Sequence, residues 1–227
     1  MIKANDISKV GKMISSHMRK GVETNNFLTA EDYAAAVLKN GLFFEEWEDG
    51  IFILRKTKDF YKLNFHLNGF ELYKERIHLV KKNSPVYDTD CENVSFCNEK
   101  YGEQAYKIMT DNFDKYSGCI PDYDEFYEDI LNKRVIIFEK DSCAAGIIHF
   151  SLDSKSSEIR HLAVAASARG KGAAARMLKF YFENVEKAKY HLWTGADNFT
   201  AQKLYNDNGY ERDGMISKVY ILNRKEK

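Results

Sequence analysis

The stretch that most constrains the fold is Glu158 to Leu178, EIRHLAVAASARGKGAAARML. Ile159 to Val164 has the composition of a strand, Arg169-Gly170-Lys171-Gly172 that of a tight polar turn, and Ala173 to Leu178 that of a helix start. A helix that leaves a glycine turn presents backbone N–H groups with no intrahelical partner, and these make an anion site. Gly170 and Gly172 let the backbone approach an anion closely. Arg169 and Lys171 add positive charge beside the positive end of the helix dipole. The stretch therefore predicts a phosphorylated ligand, and the rest of the chain can be placed around it.

At 227 residues the chain has room for one domain or two small ones. Its 34 basic residues balance 34 acidic ones, so charge gives no argument for nucleic acid or a membrane surface as a partner. No apolar run approaches the roughly 20 residues of a spanning helix, and the first ten residues lack the apolar core of a signal peptide. Cys91, Cys97, Cys119 and Cys143 form no C-x-x-C pair, and no His/Cys/Asp spacing resembles a metal set. Reduced thiols, a cytoplasmic location and no metal are the expectation.

Met1 to Ala4 reads as a short strand and Ile7 to Arg19 as a helix with apolar residues three and four apart. Thr29-x-x-Asp32 opens a second helix, which Asn40-Gly41 ends. Leu42 to Trp47 and Ile51 to Lys56 flank Asp49-Gly50, a strong hairpin signal. Phe60 to Leu67 and Glu71 to Val80 read as further strands, and Lys81 to Pro85 as a connector. The same order then begins again, with a strand at Asn93 to Cys97 and a helix at Glu99 to Phe113. A second helix follows at Pro121 to Leu131, opened by Pro121, and strands at Val135 to Glu139 and Ala144 to Leu152 flank a turn at Lys140-Asp141-Ser142. The two halves read as an internal duplication, or as the coincidence that a common helix-then-hairpin pattern allows. The expected domains are 1–85 and 86–227.

After the glycine turn, the helix is expected to run to Lys187, followed by a strand at Tyr190 to Thr194. A helix from Asn198 to Asn208 comes next, with Asn198 as its N-cap. Tyr210 to Arg212 and Ser217 to Leu222 read as two closing strands around Asp213-Gly214. The strand–helix–strand portion implies a parallel pair with a right-handed crossover.

Leu162-x-Val164-x-x-x-x-Arg169-Gly170-Lys171-Gly172-x-Ala174 resembles the signature of the GNAT superfamily of acyl-CoA-dependent N-acyltransferases. Asn198-x-x-Ala201-x-x-Leu204-Tyr205-x-x-x-Gly209-Tyr210 resembles the family's second motif. The likeness runs from about residue 92 to 222, judged by motif order. It departs at Ala166, where many members have proline. The resemblance implies an α+β fold, a mixed twisted sheet flanked by helices, with residues 1–85 as a degenerate half, a lid or a dimer surface. It implies acetyl-CoA as co-substrate, with its pyrophosphate on the backbone of Arg169, Gly170, Lys171, Gly172, Ala173 and Ala174. The pantetheine arm would bond the backbone along Leu162, Ala163 and Val164, where this strand and the next splay apart. The same glycines also fit a dinucleotide fingerprint, but too few residues follow Gly170 for the further strand–helix units that fold needs. A P-loop fails, because Lys171 is followed by Gly172 and not by Ser or Thr.

Acyl transfer to an amine needs a base, an oxyanion donor and an acid for the leaving thiolate. By its place in the motif, Tyr205 is the candidate acid; the alternative is packing alone. Glu158 matches a glutamate that serves as base in the histone-acetylating branch, and the alternatives are a water chain or an ordinary charged strand residue. A backbone N–H near Val164 is the candidate oxyanion donor. Asn198 has two readings, as helix cap and as a contact to the pantetheine arm. Simple alternation would place His161 on the opposite face from Glu158 and Leu162, as a structural or solvent-facing histidine. The resemblance implies a small-molecule or peptide amine as acceptor and a monomer or homodimer. A non-catalytic acyl-CoA-binding regulatory module is the competing reading. The acids of residues 122–129 suit either a cationic acceptor or a solvated helix face.

Overall fold

The computed structural model describes residues 22–23, 42–46, 51–56, 66–67, 71–82 and 90–223. The strand expected at 1–4 and the helices expected at 7–19 and 29–38 lie outside them. The described chain falls into two compact units, and it passes from one to the other within long strands.

The first unit takes the described residues up to His78, then Gly195–Asp197 and the chain from Gly214 on. Here β1 (Val22–Glu23) pairs antiparallel with β4 (His66–Leu67), and β2 (Leu42–Glu46) pairs antiparallel with β3 (Ile51–Lys56). The two strands expected on either side of Asp49-Gly50 therefore pair, and the turn between them lies outside the described residues. β5 (Glu71–Lys82) runs two residues past the strand that the sequence suggested, through Lys81 and Lys82, because Leu79 and Lys81 bury their side chains.

The second unit, Leu79–Thr194 with Asn198–Asp213, holds the glycine turn. Its strands are β6 (Val94–Phe96), β7 (Val135–Lys140), β8 (Cys143–Leu152), β9 (Ser156–Val164) and β10 (Lys189–Gly195), with β11 (Glu211–Asn223) shared between the units. β6, β7, β8 and β9 pair antiparallel in sequence order, and β10 lies parallel to β9. The helices are α1 (Gly102–Asn112), α2 (Tyr123–Leu131), α3 (Ala173–Asn184) and α4 (Phe199–Asp207). The result is a mixed sheet flanked by helices. α1 and α2 cover one face, where Ala105, Ile108, Met109, Phe126 and Ile130 pack on Ile137, Ile147 and Ala163. α3 covers the other, where the Tyr181 ring meets Phe150 edge-on at 5.1 Å.

Local chemistry sets the boundaries. Asp141 and Ser142 both take positive φ, +52° and +59°, the geometry of a tight turn that matches strand twist between β7 and β8. α2 begins two residues after Pro121. Asp122 caps it, accepting the Glu125 N–H at 2.9 Å, because a carboxylate satisfies a bare donor that proline only avoids. α3 stops at Asn184, short of the expected Lys187. The two expected closing strands are the single strand β11, since Gly214 takes φ +85° without breaking it. At the end of α4, Gly209 has φ +78°, and a Cβ there would sit 2.5 Å from the Lys81 ammonium nitrogen. Lys81 is buried, 5.8 Å from the Phe182 ring centre, and that burial lowers its pKa.

Candidate active site

β9 has two different halves. Up to Ile159 it is hydrogen-bonded on both sides, with Ser156, Ser157, Glu158 and Ile159 aligned to Lys189, Tyr190, His191 and Leu192 of β10. Beyond that pair β10 separates, while β8 continues beside β9 as far as Gly146 opposite Val164. Leu162, Ala163 and Val164 therefore lie on a strand edge that opens at its C-terminal end. The opening starts at a β-bulge, because His149 faces His161 and Phe150 faces Ile159, leaving Arg160 as the extra residue.

The bulge overturns the alternation expected for this strand. By register, Leu162 and Val164 share a face with Ile159, while Glu158, His161 and Ala163 share the opposite one. His161 is thus on the same face as Glu158 and is buried at 1% exposure, so it is structural and does not face solvent. Sequence reasoning missed the bulge because it is a property of two paired strands.

After Val164 the chain makes a short 3₁₀ turn at Ala166–Ala168, braced by the Lys140 ammonium on the Ser167 carbonyl at 3.1 Å. Gly170 and Gly172 then take φ +73° and +77°, and nothing lies within 4 Å of where either would carry a Cβ. Glycine is used here for backbone shape and leaves an open cradle. Gly172 is the N-cap of α3, and no side chain caps that helix. Ala173 is buried beneath, whereas Gly170, Lys171 and Gly172 are exposed. The bare first turn, the paired glycines and the adjacent lysine suit a pyrophosphate.

Arg169 behaves differently from Lys171. Its Nε donates to the Val164 carbonyl at 2.9 Å and its guanidinium to Asn112 Oδ1 at 2.8 Å. It joins the turn, the open end of β9 and the last residue of α1. Asn112 carried no sequence signal, since an asparagine at a helix end is common.

Tyr205 sits on α4 at 6% exposure, its ring against Tyr210. Among the described residues no group forms a hydrogen bond with its hydroxyl, and burial raises its pKa. Glu158 is half-buried on β9. The two are not bonded to each other, but both act electrostatically on the buried Tyr181 hydroxyl, whose pKa burial also raises. Asn198 caps α4, its side-chain oxygen accepting the Ala201 N–H at 3.1 Å. Of the acids at 122–129, Asp122 is a cap, and Asp129 is bonded to His149 and Arg134. Among the described residues no group of three or more His, Cys, Asp and Glu forms a metal set, and no helix is long and apolar enough to cross a membrane. The four cysteines are free thiols, and burial pushes that of Cys97 up to about 12.

Among curated proteins, none matches the chain at the sequence level. The fold is similar to that of a GNAT-family protein from Novosphingobium aromaticivorans, with TM-score 0.58 at 13% identity, covering 83% of this chain and 79% of that one. It is also similar to a GCN5-related N-acetyltransferase from Sphaerobacter thermophilus, with TM-score 0.52 at 12% identity, covering 68% of this chain and 53% of the other. A GNAT-family acetyltransferase from Colwellia psychrerythraea gives TM-score 0.51 at 13% identity, covering 70% of this chain and 59% of that one. The chain thus spans less than two thirds of the latter two. The family model described as "Acetyltransferase (GNAT) domain" matches residues 97–219, more than half of the chain. Its matched segment includes the open half of β9, the glycine turn and Tyr205, and the chain belongs to the GNAT acetyltransferase family.

Proposed function

We propose that this protein moves an acetyl group from acetyl-CoA directly to a primary amine of a small molecule or peptide. The observation that carries the reading is the separation of β10 from β9 immediately before Leu162, Ala163 and Val164. An edge that is paired along one half and open along the other is a place for an extended amide-bearing arm. The cradle of Gly170, Lys171, Gly172, Ala173 and Ala174 lies at the end of that same strand, where the anionic part of such a cofactor would go. The fit is supported by the uncapped start of α3 and by the open space over both glycines.

When bound, acetyl-CoA supplies an acyl group already activated as a thioester. The remaining tasks fall to the chain. A backbone N–H at the open end of β9, near Val164, is placed to receive charge developing on the acyl oxygen. Tyr205 keeps its proton at neutral pH, because burial raises its pKa. It is our candidate acid for the leaving sulfur. Glu158 is our candidate for taking the proton of the amine, directly or through water. In the same reading, residues 86–227 form the transferase domain, and residues 1–85 a region that serves as lid, dimer surface or degenerate copy. The protein works in the cytoplasm, without nucleic acid or membrane, as a monomer or homodimer.

The test is calorimetric titration with acetyl-CoA together with turnover on polyamines, aminoglycosides, amino acids and peptides. Tyr205→Phe is expected to lower kcat by about a hundredfold and to leave acetyl-CoA affinity unchanged. Tight binding with no turnover on any acceptor would select the non-catalytic regulatory module instead. Unchanged turnover in both Tyr205→Phe and Glu158→Gln would remove the two assigned roles.

A further inference from the structure

A second set of titratable groups is buried beneath α1 and α2, and none of its members has a part in the chemistry above. His149 and His161 are 0% and 1% exposed and lie directly opposite each other on β8 and β9. Their ring planes are 8° from parallel with centres 5.2 Å apart, and Nδ1 faces Nδ1 at 3.0 Å. His149 Nε2 is 2.8 Å from Asp129 Oδ2 on α2, and His161 Nε2 is 2.8 Å from the Gly118 carbonyl oxygen. Phe126 and Phe113 close the pair off with edge contacts to His149 and His161 respectively.

Three hydrogen bonds need three protons. A carbonyl only accepts, so His161 Nε2 must carry a proton to bond Gly118. Asp129 is ionised: burial opposes this, but its bonds to His149 and Arg134 outweigh burial and hold its pKa below the ordinary value. His149 Nε2 must therefore carry a proton as well. The Nδ1–Nδ1 contact needs a third, and two neutral imidazoles hold only two between them. With two protons, one of the three contacts has no hydrogen: two lone pairs face each other at the centre, or the bond to Gly118 is lost, or a lone pair of His149 faces the Asp129 carboxylate.

We infer that His149 and His161 share a single extra proton, neutralised by Asp129, and that this proton clamps the Gly118 loop onto the bulged stretch of β9. The loop joins α1 to α2, and its second anchor, the Cys119 carbonyl, accepts from Arg160 at 3.4 Å. Both anchors, Arg160 and His161, lie at the point where β10 leaves β9. Resting on the transferase reading, this makes His149 and His161 positioning residues for the loop beside the open edge.

The charged groups around the pair are Asp129, which favours the proton, and Arg160 and Arg134, which oppose it. Burial of His149 is the largest influence and lowers its pKa. The proton is therefore held in acid and leaves as pH rises, on the acid side of the ordinary histidine value of about 6.5. The clamp is complete below that point and loosened above it.

The experiment is a pH titration of the full chain labelled with ¹⁵N at histidine, with amide exchange measured at residues 117–119. Expected is one shared step for both Nδ1 signals, below about pH 6.5, with loop protection falling about tenfold across it. Two histidines that stay neutral throughout, or a loop whose protection is flat through the step, would overturn the inference. Asp129→Asn should move the step to lower pH and Asp129→Glu should return it. In turnover assays the same step should alter KM for the amine while acetyl-CoA affinity stays constant. The wild-type titration needs neither cofactor nor acceptor, so a failure of acetyl-CoA to bind would count against the transferase reading alone.

Discussion

α3 follows β9 through the glycine turn and α4 follows β10 directly, and they treat their first turns in opposite ways. α4 is closed by its own chain, with Asn198 accepting the Ala201 N–H. α3 opens on a left-handed Gly172 with no side-chain cap. A helix start costs stability when its donors are left bare, and a cap restores about 1 kcal/mol. The second unit accepts that cost at one helix and avoids it at the other. The bare start adjoins the open end of β9. The difference separates a start closed by its own chain from one that, in the function proposed above, is kept for a ligand.

The contrast can be tested by exchanging chemistry between the two starts. Gly172→Asp brings a carboxylate and a strained backbone to the bare turn. Acetyl-CoA affinity should drop about a hundredfold in calorimetry, since the carboxylate would occupy the bare N–H donors and repel the anionic part of the cofactor. Arg169→Ala removes the tie from the turn to Val164 and Asn112. Affinity should fall about tenfold, and Arg169→Lys should recover little of it, because a point charge cannot make both bonds. Asn198→Ala should act chiefly on the fold, lowering stability by about 1 kcal/mol and Tm by about 2–4 °C in a thermal melt. Asn198→Asp should be the mildest change. It keeps the capping oxygen while replacing the amide donors with a negatively charged carboxylate, so Tm should hold while affinity declines about threefold. If Asn198→Ala weakened binding more than Gly172→Asp, the assignment of the two starts would be reversed.

Much of this was legible in the sequence where local rules decide. The glycine turn, the Asn198 cap, the β2–β3 pairing and the β7–β8 turn each depend on a few adjacent residues, and each forms as expected. What was not legible depends on pairs of distant segments. The Arg160 bulge exists only in the register between β8 and β9 and inverts the face assigned to His161. The His149–His161–Asp129 chain links three elements whose proximity no spacing reports. Asn112 gains its role from Arg169, 57 residues away. Gly214 looked like a break, yet β11 runs through it, because a positive φ is tolerated there without loss of the strand.

The lysine beneath Gly209 has an evolutionary consequence. A methyl group at position 209 would meet the end of the buried Lys81 side chain, which must shift to admit it, so the two positions are linked. A lineage that enlarges residue 209 must first shorten or redirect residue 81, and even then the left-handed backbone at 209 favours glycine or asparagine. Lys81 comes before the segment that matches the family, which begins at residue 97. In a set of close relatives, the pair should therefore appear as a correlated substitution that reaches outside the matched domain.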